Sequence, residues 1–175
     1  GQKWEQILAD TALLMEHRIT EIQREVLKVL PGTPLREIAP EHEMRFSPET
    51  PYDVMMTRTM SLEDIQSVRD LSRLLDMTYN HKNLHPAVLM MNEESPGVIR
   101  ELFEYFHNVK GNSSSLWDLK KRFLFLADFC RIQKLTESSV ELAWQWLLAG
   151  FPPGQGPDLF SEKVSEIPAG VQLRQ

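Results

Sequence analysis

The stretch Ser61-Leu62-Glu63-Asp64-Ile65-Gln66-Ser67-Val68-Arg69-Asp70-Leu71-Ser72-Arg73-Leu74-Leu75 decides the fold class. Ser61 and Asp64 have the spacing of a capping box, in which a hydroxyl and a carboxylate take up the free amides of a helix start. Leu62, Ile65, Val68, Leu71, Leu75 and Tyr79 then recur at three- and four-residue steps, one apolar face that predicts a helix to about Asn80. Downstream the same logic repeats. His85-Pro86 opens a short apolar turn through Met91. Ser95-Pro96 is an N-cap and first-turn pair ahead of Val98, Leu102, Phe103, Tyr105, Phe106 and Val109. Ser115 and Asp118 form a second capping-box pair before Trp117, Phe123, Leu124, Leu126 and Cys130, and Thr136 caps a last helix closed by Gly150. Residues 61–150 therefore read as a helical domain, and 151–175 as a loosely packed tail.

Upstream, Trp4, Ile7, Leu8, Leu14, Met15 and Ile19 predict an amphipathic helix over about 3–18. The next segment, Glu21 to Leu30, is ambiguous: Ile22, Val26 and Leu30 share one parity while Leu27 and Val29 fall on the other. Pro31-Gly32-Thr33-Pro34 ends whatever precedes it. Residues 36–60, with Pro40, Pro48 and Pro51 among polar neighbours, read as an extended connector.

A chain of 175 residues is long enough for one domain with a real core, and 42% hydrophobic with 25% charged residues is ordinary for a soluble protein. The formal charge of −6 carries no basic run beyond Lys120-Lys121-Arg122, which argues against nucleic acid or an anionic membrane. No apolar run reaches the ~20 residues of a membrane span. Cys130 is the one cysteine, which excludes an internal disulfide and fits a cytoplasmic location. Its apolar surroundings favour a buried, inert thiol over a reactive one. His81 and His85 stand four apart, a metal-ligand spacing on a helix, but no third ligand accompanies them and Pro86 suggests a turn. No nucleophile elbow and no phosphate loop occurs. Catalytic residues and metal ligands are thus none by this reading, and the Trp and Met pairs read first as core. The chain opens on Gly1 rather than Met, which reads as a tag remnant on an excised piece.

One family ties several segments together. Val26-Leu27-Lys28-Val29-Leu30-Pro31-Gly32-Thr33-Pro34-Leu35 resembles the end of the last barrel strand in cobalamin-binding radical SAM proteins. Pro51-Tyr52-Asp53-Val54, Ser61 to Ile65 and Asp76-Met77-Thr78-Tyr79-Asn80 are similar in order and spacing to the C-terminal region of the branch related to magnesium-protoporphyrin IX monomethyl ester oxidative cyclase. The resemblance implies a mainly α fold, a bundle of about five to six helices, preceded by the last helix and strand of a truncated barrel in residues 1–35. It implies a parent of oxidative cyclase or methyltransferase type that uses a 4Fe-4S cluster, S-adenosylmethionine and cobalamin, with no cofactor in this chain. Val29, Leu30 and Pro31 would lie at the parent's adenosine pocket. Tyr52, Asp53, Asp76, Tyr79 and Asn80 become candidates for the barrel mouth, although Asp76 and Asn80, one helical turn apart, can equally cap or bridge their helix.

The expected role is an accessory domain covering the barrel, whose partner is the rest of its own polypeptide; an independent helical interaction module is the alternative. A stand-alone enzyme is the weakest option. Without its barrel, residues 19–30 are expected either to turn helical or to pair between two copies, because an unpaired strand edge is a liability.

Overall fold

The computed structural model describes residues 1–109 and 117–157. Among these, seven α-helices dominate: α1 Trp4–Glu16, α2 Pro34–Ile38, α3 Leu62–Met77, α4 His85–Glu94, α5 Ile99–Val109, α6 Leu119–Gln133 and α7 Thr136–Leu148. One two-stranded antiparallel hairpin pairs β1 Arg45–Phe46 with β2 Val54–Met56. The mainly α class expected from the sequence holds.

The α3 start is as the sequence dictates. Asp64 N–H donates to Ser61 Oγ at 3.1 Å, and Ser61 N–H returns the bond to Asp64 Oδ2 at 2.8 Å. Ile65, Val68, Leu71, Leu74 and Leu75 form the buried face, whereas Leu62 is 53% exposed and the helix ends at Met77. Elsewhere the caps differ from expectation. Asp118 is itself the N-cap of α6, accepting Lys121 N–H at 2.8 Å, and Ser115 lies outside the described residues. Thr136 is the first residue of α7, not its cap. The expected turn at His85 is a ten-residue helix, because proline near a helix start displaces an amide that had no partner there. Helix α5 begins only at Ile99.

Helix α7 packs on α4 and α6, while α1 lies against α3, α4 and α5. Ile7, Leu8 and Met15 of α1 share one core cluster with Leu71, Leu102, Phe123 and Trp146, so the N-terminal helix is part of the bundle. Tyr105 bridges α5 to α6 by donating its hydroxyl to Asp128, which also takes Arg131. Burial first, then the Asp128 carboxylate, pushes the Tyr105 hydroxyl up to about 12.

Residues 19–30 are neither helical nor a free edge. They form an extended arm that stays within its own chain: Val29 N–H donates to Tyr52 O and Val54 N–H to Leu27 O, both at 2.9 Å, an antiparallel bridge centred on Lys28 and Asp53. The helical alternative fails because partners for these groups exist nearby in the hairpin. Residues 36–60 are likewise more ordered than a connector. They contain most of α2, a 3-10 turn over Ala39–His42 and the hairpin, and bury Ala39 and Val54. The tail starts well packed, with Phe151 on Trp146 at 4.5 Å between ring centres; its remainder from 158 lies outside the described residues.

Candidate functional site

The residues singled out by sequence converge on the arm, in two groups at its two ends. At the first end, Asn80 reads the main chain of Ile22 in both directions. Ile22 N–H donates to Asn80 Oδ1, and Asn80 Nδ2 donates to Ile22 O, each at 3.0 Å. The same Nδ2 reaches Asp76 Oδ1 at 3.0 Å, which fixes the amide's orientation. A side-chain amide here imitates the paired edge of a sheet. Tyr79, fully buried, donates its hydroxyl to Ile19 O, and burial raises its pKa. His85 holds Tyr79 from the other side, with Nδ1 2.6 Å from Tyr79 O and the rings edge to face at 4.5 Å. A carbonyl partner requires that Nδ1 carry the proton. The histidine pair thus does not share a helix face: His81 precedes α4 and His85 opens it.

At the second end, Tyr52 and Asp53 line the hairpin edge that pairs with Leu27 and Val29. Asp53 accepts Arg69 Nη2 of α3 at 3.0 Å, tying the hairpin to the bundle. Arg36 donates to Val29 O at 3.1 Å while its guanidinium lies over Phe46 at 5.0 Å and Tyr52 at 5.6 Å. Two aromatic faces stabilise the planar cation and hold it square to the carbonyl. Tyr52 adopts φ +62°, where a β-carbon crowds the next carbonyl, a cost of about 1–2 kcal/mol met by these contacts. Val29 is fully buried with both main-chain groups engaged, whereas Leu30 and Pro31 are exposed.

Arg36, Phe46 and Arg69 were not found by sequence reasoning. No local signal marks them, because each gains its role from a partner brought close only by the hairpin. Chemically, the cluster binds and positions an extended backbone. Asp53 is neutralised by Arg69, and among the described residues no group of three His, Cys, Asp or Glu side chains could hold a metal. Cys130 is buried, and burial pushes its thiol up to about 12. No described helix is long and apolar enough to cross a membrane.

Asn80→Ala is expected to unlatch the first end of the arm. Losing both bonds to Ile22, with a buried neighbour left unpaired, costs about 1–3 kcal/mol. Amide exchange should accelerate at Ile22 and its neighbours before it does in α3 or α6, and uniform protection across the chain would contradict the latch.

A family model described as protein of unknown function (DUF4080) matches residues 40–148, more than half of the chain. No curated protein and no solved structure matches. The matched span runs from the 3-10 turn through the hairpin to the end of α7, and the arm it helps to hold lies before it.

Proposed function

The chain belongs to the DUF4080 family of proteins of unknown function, and we propose that it is an accessory unit covering the catalytic barrel of a cobalamin-dependent radical SAM enzyme. One observation supports this above the others. The end of the arm carries apolar side chains both inward and outward: Val29 is buried against the body and Val26 half-buried, while Leu27 and Leu30 are 53% and 47% exposed. A strand apolar on both faces suits a place between two layers. Ile38 and Met55, 40% and 41% exposed, extend the apolar character to α2 and β2. The resemblance of Leu27 to Leu35 to a last barrel strand names the second layer.

The parent's 4Fe-4S cluster, S-adenosylmethionine and cobalamin do not fit this chain. A cluster needs several thiolates, and the single cysteine is buried with its thiol strongly protonated. The chain's own part is exclusion of water and placement of the arm. In this reading Val29, Leu30 and Pro31 lie near the adenosine, with the main chain of Val29 fixed by Tyr52 and Arg36.

With S-adenosylmethionine and a strong reductant, the isolated chain should release no 5′-deoxyadenosine. The reconstituted whole polypeptide should release it, and a Leu27→Asp/Leu30→Asp pair should slow turnover by about tenfold or more by opening the layer to water, with helical circular dichroism unchanged. Cleavage by the isolated chain, or an indifferent double variant, would overturn this role. An interaction module is the competing reading for the same apolar face, favoured by a stable complex with an unrelated protein in the absence of any barrel.

A further inference from the structure

Beside the arm a cavity of about 310 Å³ opens between the start of α1, residues 25–27, the loop after the 3-10 turn and the loop leading into α3. Its floor is core. Ile7, Val54, Met60, Ile65 and Val68 line it, and each keeps 2% to 8% exposure where Leu71, Leu74 and Leu75 keep none. Val26 and Met44 form half-buried walls. Packed interiors hold few voids larger than a water molecule, so an opening that reaches five core side chains is not ordinary looseness.

The polar groups around the mouth are already occupied. Arg58 donates to Glu43 Oε1 at 3.0 Å and to Glu41 O at 2.9 Å. Thr57 Oγ1 accepts the amides of Thr59 and Met60, and Thr59 Oγ1 donates to Gln2 O at 2.9 Å. The exposed Glu25 carboxylate and the Gly1 ammonium add opposite charges at the rim, beside the His42 ring. An ionic ligand would find no ready partner inside. A ligand here gains its affinity from burying apolar surface and from shape.

Size narrows the class. A dry apolar cavity of about 150 Å³ takes benzene, and this one is roughly twice that volume. We infer that the cavity is a binding site for a small, neutral, mainly apolar molecule of about bicyclic size, with methionines 44 and 60 adapting to its outline. Glu25, Val26 and Leu27 belong to the arm, so such a ligand would brace the arm where Leu27 reaches the cavity, away from Leu30.

The test uses the whole chain and the neutral bicyclic probe 1-naphthylamine, whose emission shifts to the blue in apolar sites. Saturable binding at one probe per chain is expected, together with shifts of the Ile7, Val54, Met60 and Ile65 methyl resonances. Met44→Trp, which fills a half-buried wall, should weaken binding by about tenfold or more, as should Val68→Phe if it folds. Leu13→Ala, on the exposed side of α1, should leave it unchanged. Absence of saturable binding, methyl shifts elsewhere in the chain, or a Met44→Trp chain that binds as the parent does would each overturn the site.

Discussion

Trp146→Ala is expected to lower the stability of the chain by about 3–5 kcal/mol, the range for removing a buried aromatic side chain and leaving its cavity. Trp146 is 1% exposed near the end of α7 and meets Phe123 of α6 edge to face at 5.5 Å. Its indole N–H donates to Pro152 O at 2.9 Å. It also sits at the end of a Schellman motif: Gly150 N–H returns to Leu147 O and Phe151 N–H to Trp146 O, with Gly150 at φ +84°. The Phe151 ring then covers the indole, the apolar contact that accompanies this motif. Truncation therefore empties the α6–α7 contact and loosens the turn that closes α7. Trp146→Phe keeps most of the volume and strands one carbonyl, for about 1–2 kcal/mol. Urea unfolding followed by circular dichroism decides the matter, and an alanine variant within about 1 kcal/mol of the parent would refute this account of the core.

Glu94→Ala is expected to cost about 2–3 kcal/mol, an effect of a helix capped from outside its own sequence. Helix α7 starts at Thr136 without a side-chain cap from its own N-terminus. The carboxylate of Glu94, the last residue of α4, takes its place. Oε1 accepts Thr136 N–H at 2.6 Å and Glu137 N–H at 3.3 Å; Oε2 accepts Ser138 N–H at 3.0 Å and the Ser138 hydroxyl at 2.7 Å. A negative charge also suits the positive end of the helix dipole. Burial works to raise the pKa of Glu94, but the bonds from the Ser138 side chain and the amides of 136–138 outweigh it and hold the carboxyl below its usual range. The folded chain therefore binds this proton less readily than the unfolded one. The stabilisation is complete above the ordinary glutamate value and fades as pH falls through the lower folded value. The difference between the parent and Glu94→Gln, measured by urea unfolding, should accordingly be largest at neutral pH and shrink toward zero in acid. Asp128, also held low, first by the Tyr105 hydroxyl and then by Arg131, titrates alike in both proteins and cancels in that difference. A gap that stays constant from neutral pH into acid would contradict the cap.

Much of the helical body was legible because its signals are local. The Ser61–Asp64 box and the Gly150 stop act within a few residues, and each stands in the structure as a bond or a backbone angle. Tyr52, Asp53, Asp76, Tyr79 and Asn80 were singled out by the resemblance for a barrel mouth, and what they touch within the chain was not legible. Tyr52, Asp53, Tyr79 and Asn80 meet on the main chain of residues 19–29, which offers no side-chain pattern to read, and Asp76 orients Asn80.

By itself the sequence determined the start of α3, the stop of α7 at Gly150 and which helix faces are apolar, because capping and periodicity depend on neighbours three or four residues away. Tertiary structure alone decided the arm. Its mixed parity suits helix and strand about equally, and the choice falls to amides and carbonyls that Tyr52, Val54 and Asn80 satisfy from far along the chain. The same holds for the start of α7, where the missing cap is supplied by Glu94 because α4 packs alongside, and for Arg36, held square to Val29 O only once the hairpin brings two aromatic rings to it.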